Sequence, residues 1–311
     1  MGGLPIDAVR ETLLEAARIA ARETLPVFRT AMAVDNKEAG GFDPVTEADR
    51  RAEQVIRESI AGRFPDHAIS GEEWDDKETG SPYRWGIDPI DGTRSFICGI
   101  PLWGTLIGLL YQDRAVAGLL SQPFIGETFI GLPGEATYSR NGQETALRVS
   151  QVTELGAARM MTTTPKLFER RPATLQAFAN LEASVQLSRY GADCYAYGLL
   201  AAGRIDLVVE PDLKAVDIAP LLAIIREAGG IVSAFDGGPA EMGGDVIAAA
   251  TTQLPAAARA LRTASSRAFT TSWNGLPVRN RDHSTPRHSL RALEQRTRPH
   301  QSAPPQVLNI S

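Results

Sequence analysis

Asp88 and Asp91 stand three residues apart in Trp85-Gly86-Ile87-Asp88-Pro89-Ile90-Asp91-Gly92-Thr93, where an apolar run ends against Gly-Thr. Pro89 fixes one backbone angle between them and is expected to force a turn. Two carboxylates so placed converge on one point, and hard oxygen donors of this kind suit Mg2+. Just after them, Gly92 opens Thr93-Arg94-Ser95-Phe96, which reads as the start of a helical turn whose first backbone N–H groups can hold an anion. A metal site joined to an anion cradle points to phosphoryl chemistry.

Further acids stand apart from this motif: Glu72-Glu73 after a short strand pattern, Glu210 at the end of another, and Asp217 at the start of a strongly apolar helix. Each has an ordinary reading too, Glu72-Glu73 as a solvated turn and Asp217 as a helix cap favoured by the macrodipole. Asp49 is ambiguous in the same way. Thr46-Glu47-Ala48-Asp49 has the form of a capping box, yet the same carboxylate is also a candidate for the catalytic site. Competing nucleophiles are scarce. Before residue 262 the only histidine is His67, which leaves a phosphohistidine or a Ser-His-Asp triad almost without a base. Neither Cys98 nor Cys194 is followed by Arg six positions later, and no Gly-x-x-x-x-Gly-Lys-Ser/Thr loop occurs. Carboxylates working with a metal that activates water remain.

The elements that must carry these residues follow from periodicity. Ala8, Leu13, Leu14, Ala17, Ala20, Ala21 and Leu25 predict an amphipathic helix over 7–32, and Ala52, Val55, Ile56 and Ile60 predict a second one after Thr46. Strand patterns at 67–70, 85–88, 105–110, 116–120 and 128–131 predict a sheet of mainly antiparallel neighbours. The second half alternates: strand 159–163, helix 172–181, strand 185–188, helix 195–202, strand 206–210, and helix 217–228 closed by Gly229-Gly230.

Composition bounds the class. The chain has 311 residues, 43% of them hydrophobic, enough for a real core. No run approaches the length of a membrane span, and Met-Gly-Gly-Leu-Pro-Ile lacks the form of a secretory signal. Two cysteines make neither a disulfide framework nor a zinc spacing, so a reducing cytoplasm is the expected setting. A net charge of -5 argues against general nucleic-acid affinity. That charge is uneven: residues 262–311 carry +6 and the first 261 carry -11. The basic stretch, rich in Ser, Thr, Pro and Arg, is expected to be a disordered extension outside the fold.

At this point the residues resemble the inositol monophosphatase superfamily. The matches are Asp43-Pro44-Val45-Thr46-Glu47-Ala48-Asp49, Gly71-Glu72-Glu73, the stretch from Trp85 to Thr93, and Val216-Asp217 leading to Glu227-Ala228-Gly229-Gly230, in family order. Val216 replaces the Trp often found before the last Asp. Within the superfamily, Asp88 to Ile97, the following Gly99 to Gly108, and Arg189-Tyr190-Gly191-Ala192-Asp193-Cys194-Tyr195-Ala196-Tyr197 are similar to the histidinol-phosphate phosphatase branch, as is Asp206 to Glu210. Ala192 stands where that branch commonly has a second Gly.

The resemblance implies an α/β fold, the layered αβαβα sandwich of the inositol monophosphatase and fructose-1,6-bisphosphatase type, in one unit over residues 1–261, as a cytoplasmic homodimer. It implies two or three Mg2+ ions, with Mn2+ as a substitute. Glu72, Asp88 and the Ile90 carbonyl would hold the first, Asp88, Asp91 and Asp217 the second, and Glu73 a third through water. A water oriented by Glu72 and Thr93 would attack phosphorus, with Asp49 tuning Thr93, while Gly92, Thr93 and Arg94 hold the phosphate. Histidinol phosphate carries an ammonium and an imidazole, so Asp193 and Glu210 are expected to pair with that cation. The implied activity is histidinol-phosphate phosphatase in histidine biosynthesis. The alternatives are an inositol-1-monophosphatase, a 3'(2'),5'-bisphosphate nucleotidase, or an inactive metal-binding regulatory protein. The partner is a small phosphomonoester, with neither nucleic acid nor membrane expected.

Overall fold

A computed structural model describes residues 4–31, 33–36 and 44–259. The expectations for Asp43 and for 262–311 lie outside these residues. Helix α1 (Ile6–Thr24) buries Val9, Leu13, Ala16, Ala17 and Ala20 on one face. It stops short of the expected residue 32 because Pro26, just past the C-cap Leu25, has no N–H to continue the ladder. Two short strands, β1 (Asp35–Asn36) and β2 (Pro44–Val45), pair antiparallel before α2 (Glu47–Arg63).

Strands β3 (Ala68–Gly71) and β4 (Tyr83–Asp91) come next, then the short helix α3 (Thr93–Ile97). They are followed by β5 (Gly104–Tyr111), β6 (Arg114–Gln122), β7 (Glu127–Leu132), β8 (Glu135–Arg140) and β9 (Gln143–Ala146). These seven strands form one sheet in sequence order. Every pair is antiparallel except β3 with β4. Pro89 does not turn the chain out of the sheet, which corrects the expected turn. The strand continues to Asp91, and the ladder with β5 breaks register between Asp88 and Asp91. The hydroxyl of Thr105 donates to the Pro89 carbonyl at 2.8 Å and holds the irregular step in place.

The second half supplies β10 (Arg159–Thr162), α4 (Pro172–Glu182), β11 (Leu187–Tyr190), α5 (Tyr195–Ala201), β12 (Leu207–Leu213), α6 (Ala215–Glu227), β13 (Ile231–Ala234) and β14 (Gly244–Ala249). Their sheet runs β11-β10-β12-β14-β13, with β10 parallel to both neighbours and β14 antiparallel to both of its own. Strand β11 begins two residues later than expected, because pairing with β10 sets Leu187 opposite Arg159. The spacing analysis missed the short β1 and β2 as well as β8, β9, β13 and β14.

Alternate side chains of the larger sheet point to opposite faces. Trp85, Ile87, Ile107, Leu109, Leu119 and Ile130 meet α1 and α2 on one side. Leu106, Leu120 and Phe129 meet α5 and α6 on the other, and those helices also pack against Val208, Val246 and Ala248 of the second sheet. The far face of that sheet is covered by Phe168, by Phe178 and Leu181 of α4, and by Leu254 and Ala258 of the helical stretch 253–259. The result is the expected αβαβα sandwich.

Helix α6 is apolar all round, as a helix between two sheets must be. Four glycines in direct register across β4 to β7, Gly86, Gly108, Gly118 and Gly131, form the floor beneath it. A Cβ on Gly118 would lie 1.9 Å from the Pro220 carbonyl oxygen, and one on Gly131 would lie 2.5 Å from the Ile224 backbone. The stripe lets the helix rest directly on the sheet, and its first turn carries Asp217 to the end of β4.

Candidate metal and phosphate site

Asp88 is buried near the end of β4, Asp91 closes that strand, and Asp217 lies in the first turn of α6. One carboxylate oxygen from each falls within 4.8 Å of the others. Burial, followed by the charges of Glu72, Asp91 and Asp217, pushes the Asp88 carboxyl well above the usual range. Asp91 is pushed up as well, first by burial and then by Asp193 and Asp217. Carboxylates packed this way repel one another unless protonated or neutralised by a cation. The donor set is entirely oxygen, so these residues fit a hard divalent ion such as Mg2+.

Local geometry explains how each acid is held. The Ile90 N–H donates to Asp88 Oδ1 at 3.0 Å, and the Ile90 carbonyl accepts from the Thr93 hydroxyl at 3.0 Å. Asp91 Oδ2 accepts the Cys194 N–H at 2.7 Å, tying the first motif to the second half of the chain. Asp217 is the third residue of α6, and its Oδ2 accepts the N–H of the N-cap Lys214 at 2.8 Å, so it caps the helix start from inside the first turn and not from the N-cap position. The Lys214 ammonium meets Glu72 Oε1 at 2.9 Å, so one lysine links Glu72 to Asp217.

Asp49 sits on the buried face of α2, where its Oδ2 accepts the Thr46 N–H at 2.9 Å and the Thr46 hydroxyl at 2.5 Å. The capping box is therefore present, and Asp49 Oδ1 is buried without a hydrogen-bond partner among the described residues. Burial, the largest influence, raises its carboxyl to about 6. The Thr93 hydroxyl is directed to the Ile90 carbonyl, while the charge of Glu72 is felt at Asp49. Glu73 is partly buried, and its N–H donates to Glu53 Oε2 at 2.7 Å.

Gly92 starts α3 with a φ of 81°, a left-handed conformation that glycine adopts without strain. Its open side faces Asp193, whose carboxyl lies 3.1 Å from where a Cβ would stand. Ser95 donates its hydroxyl to Asp193 Oδ2 at 2.7 Å, and the exposed Arg94 charge draws the Asp193 carboxyl down against the larger effect of burial. Glu210 is buried midway along β12, where the pairing with β14 shifts register, and not at a strand end as expected; it accepts the Thr163 N–H at 2.5 Å. Burial lifts it to about 8, and the charge of Asp193 adds to the rise. The structure thus brings Asp193 and Glu210 into one electrostatic neighbourhood with Thr163 between them.

Several participants escaped the sequence reading. Lys214, Ser95 and Thr163 carried no spacing signal. Glu53 did, as an acid inside the apolar stripe Ala52, Ile56 and Ile60 of α2. The competing nucleophiles are placed elsewhere or blocked. His67 accepts the Trp85 indole N–H at 3.1 Å and stacks between Phe64 and Tyr83. Burial pushes the Cys194 thiol well above its ordinary value.

Known proteins resemble this chain in sequence and in fold. The chain is 42% identical over 198 residues to the chloroplastic bifunctional phosphatase IMPL2 of Arabidopsis thaliana, a match covering 63% of this chain and 56% of that protein. It is 37% identical over 218 residues to a histidinol-phosphatase of Chlorobaculum parvum, covering 70% and 82% of the two chains. An inositol monophosphatase from Zymomonas mobilis superposes with a TM-score of 0.73 at 34% identity, over 84% of this chain and all of that one. The profile of the inositol monophosphatase family matches residues 6–267, and the chain belongs to that family of phosphatases.

Proposed function

We propose that the protein is a Mg2+-dependent phosphomonoester hydrolase whose substrate is L-histidinol phosphate. The observation that carries the reading is the pair of Asp193, half-buried against the Gly92 turn with its charge felt at Asp91, and Glu210, buried where the charge of Asp193 reaches it. A phosphate on that turn places the rest of its molecule near these carboxyls, and a cationic substrate favours their ionised form and gains a charge-assisted contact that a neutral polyol does not offer. The Chlorobaculum relative's name supports the same choice.

Glu72, Asp88, the Ile90 carbonyl, Asp91 and Asp217 would hold the ions, with Glu73 at the margin. When bound, Mg2+ lowers the pKa of a water and neutralises phosphate charge. The chain's own groups do the rest. Glu72 and Thr93 orient the attacking water, and Glu72 takes up its proton. The main chain at Gly92 and Thr93 and the Arg94 side chain hold phosphate oxygens. Asp49, unpaired at Oδ1 among the described residues and near Glu72 in charge, supports the proton balance of that side.

Phosphate release with Mg2+ from L-histidinol phosphate, inositol 1-phosphate and adenosine 3',5'-bisphosphate tests the reading. The expected result is a kcat/KM at least about tenfold higher for L-histidinol phosphate, roughly the 1.4 kcal/mol that one good charged contact supplies. Asp193→Asn is expected to lower that value more than the value for inositol 1-phosphate. Equal rates on all three substrates would make the enzyme a broad monophosphatase.

A further inference from the structure

The catalytic turn Gly71-Glu72-Glu73 is held from behind by a buried pair on α2 that none of the reading above uses. Glu53 has a side chain with no exposure, and Arg57, one turn later, is only 16% exposed. Glu53 Oε1 accepts Arg57 Nε at 2.7 Å, and Oε2 accepts the Glu73 N–H at 2.7 Å. Arg57 continues the clamp by donating to the Trp74 carbonyl at 3.0 Å, and the Trp74 indole N–H returns to the Arg50 carbonyl of α2 at 3.1 Å. The carboxylate lies so close to the turn that a Cβ on Gly71 would fall 1.8 Å from Glu53 Oε1. Gly71 has no unusual backbone angle. It is therefore glycine for space, and the space is filled by Glu53.

We propose that Glu53, locked by Arg57, is a positioning residue that aims Glu72 at Asp88, and that the glycine of Gly-Glu-Glu exists to admit it. The physical argument is one of chain freedom. Glu72 follows the last residue of an edge strand; its N–H donates to the Ile87 carbonyl of β4 at 3.2 Å and its carboxylate meets the long, flexible Lys214 side chain at 2.9 Å. A charge-assisted bond to the next N–H removes the rotation that would otherwise let the turn swing away. Because Glu53 lies one turn after Asp49 on the same helix, α2 carries on one rigid element both the carboxylate that holds the Glu73 N–H and the one that feels the charge of Glu72. An apolar residue at 53 would take this carboxylate away from both the Glu73 N–H and the Arg57 guanidinium. Groups that orient metal ligands commonly change metal affinity by 10- to 100-fold.

The inference rests on the proposed place of Glu72 at the metal site, and the experiment separates the two. Mn2+ binding to the full-length, substrate-free protein is measured by electron paramagnetic resonance of the free ion, with thermal unfolding in parallel. The variants are Glu72→Gln, Glu53→Gln, Gly71→Ala and Asp206→Asn. Asp206 is the control, an unexposed carboxylate paired with Arg159 at 2.8 Å in the other sheet. Glu72→Gln, Glu53→Gln and Gly71→Ala are expected to raise the Mn2+ dissociation constant about tenfold. Asp206→Asn is expected to lower the unfolding temperature and leave Mn2+ binding unchanged. Gly71→Ala displaces the ends of the Glu53 and Arg57 side chains, with no backbone atom among its nearest clashes, and keeps the test open if Glu53→Gln does not fold. If Glu72→Gln weakens binding while Glu53→Gln or its substitute Gly71→Ala does not, Glu53 is structural and the inference fails. If Glu72→Gln itself binds Mn2+ normally, the place of Glu72 fails and the inference falls with it.

Discussion

At the scale of single residues, the site is a set of acids whose charges the fold has made expensive. Glu210 shows the consequence most simply. Its carboxyl is raised from 4.5 to about 8, chiefly by burial. Between those values the folded chain keeps a proton that the unfolded chain has released, so this group's contribution makes stability fall as pH rises from about 4.5 toward 8. Below 4.5 both states are protonated and the group adds no slope. Glu210→Gln removes the titration while keeping an acceptor for the Thr163 N–H. Thermal unfolding with a chelator present is expected to show the variant gaining on the parent protein between pH 5 and pH 8.5. Parallel pH profiles for the two proteins would mean that Glu210 is not held protonated by its surroundings.

At the scale of elements, the glycine stripe decides whether α6 can deliver Asp217. A methyl group at Gly118 cannot coexist with the Pro220 carbonyl at 1.9 Å, so the helix must lift or the strand must bow. Overpacking of this kind costs roughly 1–3 kcal/mol. Gly118→Ala is therefore expected to lower the unfolding temperature and to raise the Mg2+ concentration needed for half-maximal phosphate release. An unchanged midpoint together with an unchanged Mg2+ requirement would show that the sheet absorbs the methyl without moving the helix. The stripe also marks where sequence reading stops. Residues Asp88, Asp91 and Gly92 are contiguous, and their chemistry is visible from spacing. The register that aligns Gly86, Gly108, Gly118 and Gly131 is a property of four paired strands, and no local pattern reveals it. Likewise β9 is exposed throughout and β8 buries the adjacent Ala136 and Thr137, so neither has the apolar alternation that betrays a half-buried strand. Pro89 misled for a related reason: it suggests a turn in isolation, yet the partner strand accommodates it as a register break.

At the scale of the whole molecule, the site is a junction between two halves of the chain. The larger sheet contributes Glu72, Asp88 and Asp91, the helix layer between the sheets contributes Asp217, and the second half reaches back through Cys194 and Asp193. Motif order in the sequence was enough to foresee that these acids belong together, because the resemblance extends along the chain. The links that hold them there, Lys214 between Glu72 and Asp217 and Glu53 behind the turn, depend on contacts 142 and 20 positions apart and had to be seen in three dimensions. The central claim is that Asp88, Asp91 and Asp217 act together on a divalent ion to hydrolyse a phosphomonoester. Its most direct test is phosphate release by Asp217→Asn and the parent protein, each stripped with chelator and titrated with Mg2+, with thermal unfolding as the check on folding. The account predicts that the parent protein is silent after stripping and recovers with Mg2+, whereas Asp217→Asn unfolds at a similar temperature and stays at least about 100-fold less active at modest Mg2+, the upper end of the loss that follows from disturbing a metal site. Full activity of Asp217→Asn at modest Mg2+, or turnover by the stripped parent protein, would contradict it.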